Sequence, residues 1–404
     1  MKFKLNSPKH FDSANPSQEA CRSIDEFLEQ LAEVAPEDYS HAMGYPGTNN
    51  QNMNGFYDWY VPTGMSHVFL NNAGDPFSEQ PFKMSTLGVE RKVIEFLAPF
   101  YGINVDNVWG IVTTGGTDGN NHGIYFGAQK LRKETGMSPI VYVSKESHYS
   151  NMRLCDLQNL EVRLIDCDIM GRMRHESLRE ALDPKRPALI IYSMGSTFKG
   201  AIDDQRVLND VIDEVEPIAV HRHVDAALFG GYLPFTDKRY LVDINAMGFQ
   251  SIAISGHKFF GIDMPCGLFI TTKSTLEYQK TYNVGYLKGE MPMINCSRSA
   301  MAPMKFLWVI KNVGREGLER QAQQILERAD YLLGRLTDIG WQAWKNEHSN
   351  TVFFRHAGDE IVRRYSLASG YDEALGGALN HVVVMQQISK ELIDELVEDI
   401  RKIM

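Results

Sequence analysis

A chain of 404 residues with 43% hydrophobic side chains holds more than one compact core usually does, which predicts two or three packed units. Charged residues at 23% and aromatics at 10% are ordinary globular values and exclude a disordered, collagen-like or coiled-coil chain. With 41 basic against 51 acidic residues the formal charge is -10, so nonspecific attachment to nucleic acid or an anionic membrane has no electrostatic basis. Any anionic ligand must be held by a local site.

The first ten residues, Met1 to His10, carry charge with no apolar stretch after them, and no segment has the length to cross a bilayer. The expected compartment is the cytosol (cytoplasmic). Cys21, Cys155, Cys167, Cys266 and Cys296 are odd in number and form no C-x-x-C pair. Reduced packing residues are expected, rather than a disulfide framework or a structural zinc site.

In chain order, Ile24, Phe27, Leu28, Leu31 and Val34 recur at helical spacing over 17–35, and Pro36 ends that helix. The segment Tyr39 to Pro81 is rich in Gly, Asn, Pro and aromatics and reads as an irregular arm of the kind that wraps a neighbour. From Leu87 to about Lys273 short apolar strands alternate with helices. Strands are expected at 108–112, 140–143, 162–164, 188–193, 218–225 and 251–255, and helices at 87–100, 120–135, 175–182 and 205–214. This alternation predicts an α/β fold with a mostly parallel sheet covered on both faces. A glycine- and methionine-bearing loop, Tyr278 to Met293, precedes a long helix from Ala302 to about Leu336 that suits a connector. A small α+β unit follows: helix Trp341 to Trp344, strand Asn350 to Phe354, helix 358–366, strand His381 to Met385 and helix 388–402. The expected division is an N-terminal helix and arm at 1–60, a large α/β domain at 61–300 and a small α+β domain at 301–404.

Four segments carry chemistry. Thr113-Thr114-Gly115-Gly116-Thr117-Asp118-Gly119-Asn120 joins a strand to a helix, where glycines permit close backbone approach and a helix N-terminus favours a phosphate. It is neither a G-x-G-x-x-G dinucleotide fingerprint nor a nucleotide loop ending in G-K-[ST], and a plain capped turn is an equal reading at this point. His221-Arg222-His223-Val224-Asp225 closes a strand with alternate residues on one face, and open α/β sheets bind ligands beyond that end. Two functional readings stand: a carboxylate set against a cofactor, or an H-x-H-x-D metal cluster without obvious further ligands. Histidines that merely support the site are the plainer alternative. Ser255-Gly256-His257-Lys258-Phe259-Phe260 delivers one lysine among apolar residues, where the charged form is disfavoured and the amine can form a Schiff base. Ser147-His148-Tyr149-Ser150 follows a fourth strand end.

Phosphate cradle, histidine, aspartate and lysine at successive strand ends are the parts that pyridoxal phosphate requires. Thr114-Gly115-Gly116-Thr117-Asp118-Gly119-Asn120, Ser147-His148-Tyr149-Ser150, Gly200-Ala201-Ile202-Asp203-Asp204, His223-Val224-Asp225-Ala226-Ala227 and Ser255-Gly256-His257-Lys258 make the chain resemble a group II pyridoxal-phosphate-dependent amino-acid decarboxylase. Met264-Pro265-Cys266-Gly267, Ser297-Arg298, Leu367-Ala368-Ser369 and His381-Val382-Val383-Val384-Met385 extend the resemblance over roughly residues 40 to 404. It is strongest to the bacterial histidine decarboxylase branch and its plant serine decarboxylase relatives. Asp118, Val224 and Cys296-Ser297-Arg298-Ser299-Ala300 depart from the family's usual Glu, Ala and G-S-R-N-G.

The resemblance implies a fold type I, aspartate aminotransferase-like architecture and pyridoxal 5'-phosphate as cofactor. It also implies a homodimer with shared active sites and decarboxylation of an L-amino acid, with L-histidine first among substrates. Lys258 would hold the cofactor, Asp225 would pair with its ring nitrogen, and His148 would stack on the ring with Ala227 on the opposite face. Gly116, Thr117, Asn120, Ser255 and His257 would complete the cofactor site, with Ser297 from the partner subunit. Tyr286 is the candidate proton donor, or alternatively a lid residue whose loss slows closure, and Tyr45 and Asn72 are candidates for the substrate pocket. An aminotransferase or lyase would need a carboxylate clamp, for which Arg355 is the placed candidate. A metal hydrolase on His221, His223 and Asp225 is the reading outside this chemistry.

Overall fold

The computed structural model describes residues 25, 26, 28, 29, 31, 32, 39–48, 51–79, 83–287 and 289–404. Seven strands form the main sheet: β1 Val108–Thr113, β2 Ile140–Ser144, β3 Glu161–Ile165, β4 Ala188–Ser193, β5 Val220–Asp225, β6 Ser251–Ser255 and β7 Gly267–Thr272. β1, β2, β4 and β6 are buried along their whole length, as strands covered on both faces must be, whereas β3 lies at the edge and is partly exposed. The order is β1-β7-β6-β5-β4-β2-β3. Only β7 runs against the others, pairing antiparallel with β1 on one side and β6 on the other. That strand is absent from the sequence reading. It follows β6 with no intervening helix, so the alternation of strands and helices left no place for it.

The helices α1 Met53–Tyr60, α2 Leu87–Leu97, α3 Gly116–Thr135, α4 Tyr149–Leu157, α5 His175–Ala181 and α6 Gln205–Val215 precede the long α7 Met301–Asp338. Helix α1 corrects the expectation of an irregular arm. Asn52 caps it through its side chain, and Phe56 stacks on Tyr60 one turn away and packs edge-on to Trp308 of α7. Helix α3 begins at Gly116 rather than 120, because the glycine turn itself forms the first helical turn. Of the helix expected over 17–35, residues 25, 26, 28, 29, 31 and 32 are helical, and the remainder lies outside the described residues. Helix α7 is interrupted at Gly314, whose φ of 65° is left-handed. Among the described residues no helix is long and apolar enough to cross a membrane.

The second sheet, β8 Ala343–Lys345, β9 Thr351–Arg355, β10 Ala368–Asp372 and β11 Gly377–Val383, is antiparallel in the order β8-β9-β11-β10. It packs with α8 Asp359–Arg364 and α9 Lys390–Arg401 on the second half of α7, through Leu332, Leu336, Phe354, Leu396 and Ile400. Met43 of the arm joins this core. The helix expected over Trp341 to Trp344 is instead strand β8. Gly340 at φ 75° stops the preceding helix, and Trp344 stacks on Phe353 across the strand pair. Strand β10 also went unread, because its residues are only partly buried and carry no apolar run.

His221 and His223 lie between β5 and α3, where Gly127 and Gly123 leave them room: a Cβ would sit 2.5 Å and 2.2 Å from the respective rings. His223 bonds Ser251 Oγ at 2.8 Å and Asn120 Oδ1 at 3.0 Å, whereas neither nitrogen of His221 has a partner among the described residues. Burial holds His221 well below the ordinary imidazole range and His223 down to about 4. A base neutral in the fold but free to charge when unfolded gives stability that is complete above its unfolded value of about 6.5 and is lost as pH falls toward its folded value. His221→Leu should therefore gain stability relative to the native chain on acidification from about pH 6.5, by at most about 1.4 kcal/mol per pH unit. Urea unfolding of both proteins at several pH values checks this; a difference independent of pH contradicts it.

Candidate active site

The carboxyl ends of β1, β2, β4, β5 and β6 open on one side of the sheet, around a cavity of about 600 Å³. Thr114, Gly116, His148, Asp225, Ser255 and Lys258 all line it. Thr117, Asn120, Ala227, His257 and Tyr45 do so as well. The sequence-predicted constellation is thus brought together from four different strand ends.

The turn after β1 is closed by Asp118, which accepts from the Thr114 backbone N–H at 3.0 Å and is held from the far side by Asn295 at 2.8 Å. Burial would raise the Asp118 carboxyl, but the His122 ring beside it and the bonds from Thr114 keep it below its usual range. A Cβ on Gly116 would stand 2.6 Å from Ser255 Oγ and 3.3 Å from the Ala227 methyl. The glycine therefore lets the N-terminus of a 20-residue helix reach the end of β6, where free N–H groups and the helix dipole suit an anion. Asn120 is buried with its oxygen turned to His223, so it acts as support beneath the cavity as well as part of its wall.

Lys258 leaves β6 between His257 and the fully buried Phe259 and Phe260. Its amine has no hydrogen-bond partner among the described residues, and burial lowers its affinity for a proton, with the charge of Asp225 opposing that shift. His257 is anchored through Nδ1 to the backbone of Cys266 at 2.9 Å. His148 caps α4, accepting through Nδ1 from the Ser150 N–H at 3.3 Å, and burial favours its neutral form. Asp225 ends β5, and one of its oxygens accepts from Asn151 Nδ2 at 2.9 Å.

Other expected residues lie elsewhere. Asn72 is not at the cavity: it is fully buried, donates to Glu90 at 2.8 Å and accepts from the Thr86 N–H at 2.7 Å. It supports the buried Glu90 and Arg298 ion pair, which corrects its assignment to the substrate pocket. Tyr286, in the turn Gly285–Leu287 between two paired segments, is 66% exposed and lies off the chain's own cavity, with its hydroxyl 3.9 Å from Cys296 Sγ. Ser297 also lies off the cavity and receives a bond from Asn71 at 3.0 Å. Arg355 binds Gln342 at 2.7 Å and stacks over Trp344, and no arginine is among the described residues lining the cavity. Among the described residues no three His, Cys, Asp or Glu side chains are grouped as metal ligands.

Further wall segments were not assigned to the site in sequence, although Ser369 and His381 lie in stretches that carry the family resemblance. Ser196-Thr197-Phe198 closes one side, and Thr351, Ser369 and His381 of the second sheet close another. His381 Nδ1 faces the Phe198 carbonyl at 2.8 Å and Nε2 the Gly44 carbonyl at 3.1 Å, so one ring joins the arm, the large sheet's loop and the small sheet. Asn151 was also missed, although its position three residues after His148, one helical turn away, was a usable signal.

An anion cradle at a helix N-terminus, an unpartnered lysine amine and a carboxylate with one oxygen unengaged in hydrogen bonding are what pyridoxal phosphate needs for its phosphate, its aldehyde and its ring nitrogen. The residues present fit the group. The family described as pyridoxal-dependent decarboxylase conserved domain matches residues 128–355. The chain belongs to the pyridoxal-dependent decarboxylase family. Its cofactor is pyridoxal phosphate, and its reaction is the decarboxylation of an amino acid. It is 33% identical to the histidine decarboxylase of Solanum lycopersicum over 94% of this chain and 89% of that protein. It is equally identical to serine decarboxylase 3 of Oryza sativa over 89% of this chain and 77% of that one. The solved structure of L-methionine decarboxylase from Streptomyces sp.590 covers 97% of both chains with a TM-score of 0.79 at 21% identity, a likeness of fold.

Proposed function

We propose that this decarboxylase converts L-histidine to histamine and CO2, working as a homodimer with shared active sites. The observation that carries the substrate is similarity to a histidine decarboxylase along nearly the full length of both chains. The cavity wall supports an uncharged side chain. Its described acidic and basic groups other than histidine are Asp118, Asp225 and Lys258: Asp118 is saturated by Thr114 and Asn295, and the other two belong to the cofactor. Serine is the second reading, favoured by the rice serine decarboxylase at the same identity.

When bound, pyridoxal phosphate takes into its ring the electron pair released as CO2 leaves. Lys258 would hold the cofactor, its lowered proton affinity leaving the amine unprotonated and nucleophilic. Asp225 accepts from the protonated ring nitrogen and keeps that proton in place. His148 and Ala227, both at the cavity wall, would flank the ring. Gly116, Thr117, Ser255 and His257 bind the phosphate. The missing carboxylate clamp is itself suited to this reaction, because a carboxylate that must leave cannot be held by an arginine.

Tyr286 and Ser297 act in the partner's site, with Tyr286 returning a proton to Cα and Ser297 completing the phosphate cradle. The exposure of Tyr286 and the distance of both residues from their own cavity support this reading.

Incubating the holoprotein with each of the twenty amino acids and measuring CO2 and amine should give histidine a kcat/KM at least about tenfold above every other, the margin expected of a site built to bond a polar side chain. Serine or another amino acid in first place would overturn the substrate. For the shared site, Tyr286→Phe and Lys258→Ala homodimers should each be nearly inactive. Mixing them through reversible dissociation should restore about a quarter of native activity, because half the dimers are then mixed and each has one intact site of two. No recovery, with mixed dimers verified by mass, would place Tyr286 in its own subunit's site or outside catalysis.

A further inference from the structure

Asp225 reaches the cavity with two chemically equivalent oxygens, and a carboxylate free to rotate would present either of them, or an edge between them, to a ring nitrogen. The structure removes that freedom. Asn151 is fully buried one turn inside α4, and its Nδ2 donates to Asp225 Oδ2 and to Ser147 Oγ, both at 2.9 Å. Both hydrogens of the amide are thereby used, while its own oxygen is buried without a partner. The orientation of the amide is dictated, because the flipped form would set that oxygen against a carboxylate and leave both donors idle. Leaving an amide oxygen unsatisfied in the interior is costly, and what the amide gains in return is a fixed bond to a charged acceptor.

We propose that Asn151 is a positioning residue that fixes the Asp225 carboxylate in the orientation in which its other oxygen accepts from the cofactor's ring nitrogen. Asp225 Oδ1 has no hydrogen-bond partner among the described residues, so that oxygen is left for the ring. The same helical turn carries His148 at its cap, so α4 presents one group to the face of the ring and steers another at its edge. Asn151 does not line the cavity and acts only through Asp225.

This inference rests on the pairing of Asp225 with the ring nitrogen, and the test separates the two. Apoprotein, native and Asn151→Leu, is titrated with pyridoxal phosphate and with its 1-deaza analogue, which has carbon in place of the ring nitrogen, and the dissociation constants are read from quenching of intrinsic fluorescence. The native protein should bind the natural cofactor more tightly than the analogue. In Asn151→Leu that preference should shrink by about tenfold, with the analogue's own affinity little changed, since only the nitrogen-directed bond is affected. Should the leucine variant fail to fold, Asn151→Ala, which is smaller than the residue it replaces, takes the same measurement. Equal weakening of both ligands, or none, means that Asn151 only packs the helix and overturns the proposal. A native protein with no preference for the nitrogen overturns the Asp225 pairing and this inference with it.

Discussion

Gly116 and Gly267 allow three stretches of backbone to meet at the ends of β1, β6 and β7. A Cβ on Gly267 would stand 2.5 Å from the Ile254 carbonyl and 2.8 Å from the carbonyl carbon of Gly115, and one on Gly116 would strike Ser255. At Gly267 a side chain would require backbone to move, and at Gly116 it would require the Ser255 hydroxyl to give way. The antiparallel strand β7 is the wedge that makes the approach necessary, because it stands between the phosphate turn of β1 and the lysine-bearing end of β6. The helix terminus and the lysine then face one cavity, and Asp225 and His148 arrive from the parallel strands beside them.

Much of this arrangement was legible because each functional group ends a short apolar strand, and such a strand marks its own carboxyl end. The turn at Gly116, the carboxylate of Asp225 and the amine of Lys258 were found that way. What escaped notice did so for physical reasons. β7 directly follows β6, outside the alternation that identified the other strands. Asn151 is a polar residue within a helix, and sequence does not say whether such a residue faces water or a buried carboxylate. Asn72 failed in the opposite direction: in an arm rich in polar residues it looked available to a ligand. It is consumed by Glu90, whose buried charge needs donors as well as Arg298. The strand at Ala343–Lys345 reads as a helix in sequence because Trp341 and Trp344, three residues apart, share a helical face, whereas Trp341 lies outside the three-residue strand.

The cavity is closed by contacts that join otherwise separate parts. Lys199 is almost fully buried and is paired with Glu146 of the large sheet's loop and Asp372 of β10. Its neighbour Phe198 stacks on His381, whose ring also meets the arm at Gly44. Removing Lys199 would leave two carboxylates without their shared cation, so these links hold the two sheets and the arm in one register around the substrate space. The second sheet contributes Thr351, Ser369 and His381 to the cavity wall, opposite Asp225, Ser255 and Lys258 at the ends of the first.

The central claim is that Lys258, alone among the lysines, carries pyridoxal phosphate. Reduction of the holoprotein with borohydride, followed by proteolysis and mass spectrometry, reads the attachment point directly. The account predicts the pyridoxyl group on the peptide containing Ser255-Gly256-His257-Lys258, at the lysine, in stoichiometric amount. Label on any other lysine, or no label in protein that is catalytically active, would contradict it.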